Sequence, residues 1–298
     1  MKRDNHMNLP QCVWNAQATL GEGPVWSVRE QALYWVDILN HRLYRYAPDA
    51  FQKKRSWQFD EVITSVAERA SQPGLIVTLR HGFAFFDPDT EKLTPLHAPE
   101  SHLPANRFND GKCDARGRLW AGTMDFGCSE PTGSLYRFDA ALNCMQMDTG
   151  YAITNGPTWS ADHRTMYYND TRNGHVYAFD FDLERGEISN KRLFLAFGPA
   201  DGTPDGMTTD AEGGIWIAHW GARKLTRHDA DGTESQVITM PVSQPSSCAF
   251  GGPDLKTMYI TSATLDLTPA QREREPLAGG LFAIEMDVAG LPANVFGG

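Results

Sequence analysis

LWAGT, residues 119–123, is an apolar run long enough to cross a sheet, and the chain carries five near-copies of it. These are LYWVD at 33–37, LIVTL at 75–79, MYYND at 166–170, IWIAH at 215–219 and MYITS at 258–262. Their second residues, Tyr34, Ile76, Trp120, Tyr167, Trp216 and Tyr259, are separated by 42, 44, 47, 49 and 43 positions. A repeat of about 40–50 residues is the length of one four-stranded propeller blade. Before several anchors stands a turn, such as DARG at 114–117 or DAEGG at 210–214, and after each comes a second β-rich run, such as RLYRY at 42–46 or SLYRFD at 134–139. Asp and Gly between apolar runs supply the backbone angles of a tight turn. These D-x-x-G segments lack the acidic ligand series of a calcium loop and are read as turns.

Six units predict an all-β chain: a six-bladed β-propeller of four-stranded antiparallel blades. A β-sandwich does not account for the period. Residues 11–19 form an orphan strand, expected to pair beside 280–286 and close the ring so that no edge is left open. Residues 1–10 are expected to be a flexible tail, and 11–298 a single domain.

Composition narrows the function. The 27 Gly and 18 Pro suit many turns, and 41% hydrophobic residues can fill a core at this length. A formal charge of −10 disfavours nucleic acid and anionic membrane as partners. Five cysteines without CxxC spacing point away from a disulfide framework or a thiolate zinc site, and towards a reducing compartment. The start, MKRDNHMNLPQCVW, has no apolar core for a secretory signal, and no run of about 18 apolar residues occurs. A cytoplasmic protein, monomeric by default, is expected.

The repeat also aligns polar residues. Counting back 11 or 12 positions from the anchors reaches Glu22, Thr64, Asn109, Asn155, Asp205 and Ser247. Innermost strands of a propeller meet around its axis, so these side chains should form one ring. Two carboxylates and a carboxamide oxygen, Glu22, Asp205 and Asn155, make a hard-oxygen site for one divalent cation: Ca²⁺, Mg²⁺, Mn²⁺, Zn²⁺ or Fe(II). Channel groups that merely hold water are the plainer reading. Glycines follow Glu22, Asn155 and Asp205, as a bulge or close approach at the channel mouth requires. Arg107 precedes Asn109 by two and shares its face of a strand. There is no G-x-S-x-G elbow and no H-E-x-x-H helix. Cys113 and Cys128 are read as packing rather than nucleophiles.

LGEGPVW (20–26), RFNDGKCDARGRLWAGTMD (107–125), NGPTWS (155–160), FDFDLERGEISNKR (179–192), PDGMTTDAEGGIWIA (204–218), SSCAFGG (246–252) and AGGLF (278–282) together span nearly the whole chain. In these motifs the sequence resembles the SMP-30/gluconolactonase/regucalcin family of sugar-lactone hydrolases. The resemblance implies a six-bladed propeller, metal ligands at Glu22, Asn155 and Asp205, and substrate-orienting groups at Arg107 and Asn109. It departs at MDFGCSEPTG (124–133), a short lid with Gly or Phe where the animal branch has a substrate-binding glutamate. Asp125 is the expected substitute in substrate binding, with Glu130 as another candidate; His219 and Trp220 are candidate wall residues.

The implied activity is metal-dependent hydrolysis of a sugar lactone in sugar catabolism, with Asp205 as catalytic base. The alternatives are a non-catalytic metal-binding or scaffold propeller, or an arylesterase-type hydrolase on the same fold.

Overall fold

The computed structural model describes residues 9–298, so eight of the ten residues expected to form a tail lie outside the described residues. The chain forms six four-stranded antiparallel sheets arranged as the blades of a six-bladed propeller. Their innermost strands are Gly21–Ser27, Ser65–Glu68, Asn106–Cys113, Thr154–Trp159, Thr203–Thr209 and Pro245–Gly251, in blades 1 to 6. The repeat anchors fall on the second strand of each blade, and all six are buried. Blade 6 is completed by Gln11–Trp14, which pairs with Leu281–Glu285 at the outer edge, as the orphan strand predicts.

Flat sheets meet face to face around the ring, so the anchors and their neighbours must be large and apolar. Trp26 of blade 1 stacks on Tyr259 of blade 6 at 5.6 Å. Phe83 of blade 2 stacks on Phe138 of blade 3 at 4.3 Å. Trp120 of blade 3 meets Phe181 of blade 4 edge-on at 5.7 Å. Offset and edge-on aromatic pairs stabilise such interfaces beyond the area they bury.

The D-x-x-G turns are structural. Asp210 is fully buried; its Oδ1 accepts from the backbone N–H groups of Glu212 and Gly214, and its Oδ2 from Trp216 Nε1 at 2.9 Å and Arg227 Nε at 2.7 Å. Asp114 repeats this with Trp120 Nε1 and Arg118 Nε. Each turn is thus locked to the anchor tryptophan six residues on. Asp210→Ala leaves a buried indole N–H without its acceptor and strips the buried carboxylate from Arg227, which keeps Asp229 and Ser235, and is expected to cost about 2–3 kcal/mol. Urea unfolding of the variant with an unchanged midpoint would show that this lock does not matter.

One element outside the repeat lies across the axis. The C-terminal segment crosses the propeller face opposite the ring residues, its backbone bonding Leu255 and Ala211 through Gly290 and Ala289, then Glu68 and Ala70 through Phe296. Phe296 is fully buried between Phe85 and Phe138, at 6.1 and 6.0 Å. Leu291, Pro292 and Ala293 line a cavity of about 100 Å³ under the channel together with Trp26 and Lys112. The strap closes that end of the axis.

Candidate active site

At the other end, each inner strand except that of blade 2 is irregular where its ring residue stands. The pairing register shifts between Glu22 and Val25, Phe108 and Gly111, Asn155 and Thr158, Pro204 and Met207, and Pro245 and Ser247. A bulge re-aims the side chains beside it. Here it explains the glycines. Gly156 has φ +80°, where a side chain is strained, and a Cβ on Gly206 would lie 2.0 Å from Ser247 Oγ.

The bulges bring Arg107, Asn109 and Asn155 into one network, with the backbone before Asp205 tied to it. The Arg107 guanidinium donates to Phe108 O at 3.0 Å and to Asn109 Oδ1. Asn109 Nδ2 donates to Thr154 O at 2.6 Å and to Asn155 Oδ1 at 3.0 Å. Asn155 Nδ2 donates to Thr171 Oγ1 at 2.9 Å, and that hydroxyl donates to Pro204 O at 2.7 Å. Asn169 Nδ2 donates to the Asp205 carbonyl. Three blades are therefore tied together, and the Asn155 amide is fixed with its oxygen towards the ring.

Glu22 and Asp205 are 4% and 5% exposed, so neither carboxylate is solvated. Burial, and then the charge of Asp110, push Glu22 up to about 8. Burial, and then the charge of Glu22, push Asp205 well above the usual carboxylate range. Two carboxyls so placed hold a proton between them or need a cation. Arg107 is also buried; loss of water lowers it to about 10, partly offset by Cys128, Glu22 and Asp205, and it stays charged at neutral pH.

A divalent cation fits this donor set. Among the described residues Glu22 and Asp205 have no salt-bridge partner and the buried Ser247 Oγ beside Gly206 has no hydrogen-bond partner, while Asn155 Oδ1 keeps one lone pair after accepting from Asn109. Among the described residues no group of three or more His, Cys, Asp or Glu gathers as metal ligands. The third donor would be the carboxamide.

Several side chains are held by partners outside this network. Asp125 turns its Oδ2 into its own loop, accepting from Ser129 N at 3.0 Å, Ser129 Oγ at 3.1 Å and Glu130 N at 3.1 Å. Thr64 bonds Thr78 at 2.7 Å. His219 is fully buried between Asp201 O and Thr226 Oγ1, at 2.9 and 2.7 Å, and burial lowers it to about 4. Trp220 packs against an apolar cluster. Burial raises the Cys113 and Cys128 thiols, so neither is a ready thiolate. All five cysteines are free.

One neighbour of the ring was not among the expected site residues. Asp110 is 3% exposed, accepts from Gly111 N at 2.8 Å and Gly156 N at 3.0 Å, and its charge acts on both Glu22 and Asp205. No described helix is long and apolar enough to cross a membrane.

The family described as SMP-30/gluconolactonase/LRE-like region matches residues 20–264. Regucalcin of Xenopus laevis is 34% identical over 97% of this chain and 98% of its own length. A 6-deoxy-6-sulfogluconolactonase of Pseudomonas putida is 35% identical, again over 97% and 98%. The crystal structure of a calcium-binding protein, regucalcin, from Agrobacterium tumefaciens matches with a TM-score of 0.92 and 27% identity, over 97% of each chain.

Proposed function

The chain belongs to the SMP-30/gluconolactonase family, and from that premise we propose that it is a carboxylic-ester hydrolase that opens a sugar lactone to the hydroxy acid, with one divalent cation held by Glu22, Asn155 and Asp205. One observation carries the reading: two buried carboxyls with raised pKa converge beside a fixed carboxamide oxygen and a buried guanidinium, at the channel end away from the strap. The names of the relatives support ester opening, and the calcium-binding description of one supports a divalent ion. Bound there, a divalent cation supplies positive charge that ionises the carboxylates and stabilises charge growing on the ester carbonyl oxygen.

The chain's own groups do the rest. Ionised Asp205 accepts a proton from the attacking water as that oxygen bonds to the acyl carbon. The ring acyl–oxygen bond then breaks, and the leaving oxygen takes that proton from Asp205 to become the free hydroxyl of the product, which returns the carboxylate to its starting state. Arg107 is anchored through Nη1, which leaves its remaining N–H groups for substrate hydroxyls. Asn109 holds both Arg107 and Asn155, so substrate grip and ligand orientation share one residue. Both act by fixing the lactone in register rather than by chemistry.

The test is proton release from a panel of aldono- and aldarolactones at near-neutral pH, against the buffer rate. Turnover should vanish with chelator and return with one of Ca²⁺, Mg²⁺, Mn²⁺, Zn²⁺ or Fe(II). Undiminished turnover under chelation would remove the cation from the reading. Ion binding without any turnover would favour the scaffold, and hydrolysis of aromatic esters alone would favour the arylesterase.

A further inference from the structure

At the rim above the ring we infer that Arg80, on the Phe126 ring it shares with Arg107, and Arg172 of blade 4, beside the threonine that holds Asn155, recognise an oxyanion substituent on the lactone, a carboxylate, sulfonate or phosphate, at the end remote from the ring ester. The inference deepens the lactone-hydrolase reading and rests on it.

Arg80 belongs to the turn after strand Leu75–Thr78 of blade 2. Its Nη2 donates to Pro104 O at 3.0 Å, and its Cζ lies 5.4 Å from the centroid of Phe126. Arg107 of blade 3 approaches the same ring, with Cζ at 5.6 Å. Phe126 is 40% exposed although it sits on two cations, as a ring that also faces a ligand would be. Arg172 lies in the short turn Thr171–Asn173 of blade 4, next to the threonine that holds Asn155. The Cys128 thiol of the lid lies within the field of both Arg107 and Arg172.

Three guanidiniums thus border one side of the mouth on three successive blades. None has a carboxylate at salt-bridge distance among the described residues. Two of the nearby acids are taken up elsewhere, and the charge of a third reaches the lid. Glu61 accepts from the backbone N–H of Arg80, Asp125 is turned into its own loop, and Asp266 acts on Cys128 from blade 6.

In a chain of net charge −10, long-range steering works against an anionic substrate, so local cations must select it. The carboxylate floor also sets its orientation. Glu22, Asp110 and Asp205 repel an oxyanion, whereas the rim offers planar forks that match one. An oxyanion bound at the rim leaves the ester end of the sugar facing the ring. The anion is thereby a handle for positioning as well as for affinity.

The measurement is kcat/KM for gluconolactone, its terminal phosphate and sulfonate analogues, and an aldaric lactone, in wild type, Arg80→Gln, Arg172→Gln and the double variant. Wild type should prefer at least one anionic lactone, and which one identifies the oxyanion. The anionic-to-neutral ratio should fall by about tenfold to a hundredfold in the double variant. Arg80→Lys should recover part of it, and added salt should shrink the wild-type preference. A wild-type preference for the neutral lactone, or a ratio that the variants do not move, overturns the inference.

Calorimetric binding of the phosphorylated aldonate against gluconate separates this outcome from failure of the function itself. With no lactone turned over, the hydrolase reading falls. The rim site then stands only if the double variant weakens binding of the phosphorylated acid selectively, and falls if both acids bind both proteins alike.

Discussion

Asp205→Asn is expected to lower lactone turnover by about a thousandfold or more, the scale seen when a group acting directly on the reacting centre is lost. The substitution keeps the size of the side chain, and the Asp205 carbonyl keeps its bond from Asn169. It removes the base and one of two anionic oxygen donors, so calorimetry should also show weaker cation binding. The same change should make the cation-free protein more stable, because it deletes a buried carboxyl raised by burial and by Glu22 and Asp110. Thermal melts in chelator would check this, with a higher Tm expected for the variant. Lost activity with raised stability is the signature of a site whose charges serve function against the fold. A variant that retains full turnover eliminates Asp205 as the base, and one that merely unfolds earlier makes it structural.

The periodic part of this design was open to reading from the chain. Tyr34, Ile76, Trp120, Tyr167, Trp216 and Tyr259 are large because blades pack face to face, and one spacing rule repeated six times located them. That rule also reached Glu22, Asn155 and Asp205, since equivalent positions in successive blades share the axis. What it could not reach depends on departures from the repeat. Asp110 follows Asn109 directly, and strict alternation along a strand turns it away from its neighbour. The bulge between Phe108 and Gly111 cancels that alternation and brings both to the channel. The glycine after Asp110 was the available signal.

Asp125 went the other way. Its place after the AGTM run suggested substrate contact, but three short-range donors in a tight loop capture its Oδ2. His219 likewise found partners in Asp201 and Thr226 within the blade. The strap and Phe296 lie outside the six-fold pattern, and only long-range backbone bonds show where they go.

Stability of the cation-free protein is expected to fall as pH rises from about 6.5 to about 8. Glu22 moves from 4.5 in the unfolded chain to about 8 in the fold. Between those values the folded state holds a proton that the unfolded state has released, so stability decreases with pH throughout that interval. Below 6.5 a second group works in the opposite sense. Burial lowers His219 from 6.5 to about 4, so the unfolded state binds the proton there and stability rises with pH. His228 is lowered too, chiefly by burial. The two trends oppose each other in the acid range, and only the carboxyl trend remains above 6.5. Across that upper window each carboxyl that keeps its proton contributes a loss of about 2 kcal/mol. Asp205 and Asp110 shift in the same direction as Glu22 and deepen that loss. A cation selects the ionised carboxylates, so adding one at about a thousandfold its Kd should restore about 4 kcal/mol and flatten the profile. Urea unfolding at several pH values, with chelator and with ion, reads both effects. Glu22→Gln should flatten the chelated profile without any ion. A chelated wild type whose stability is level or rising from 6.5 to 8 would show that Glu22 and Asp205 do not confront each other in the fold.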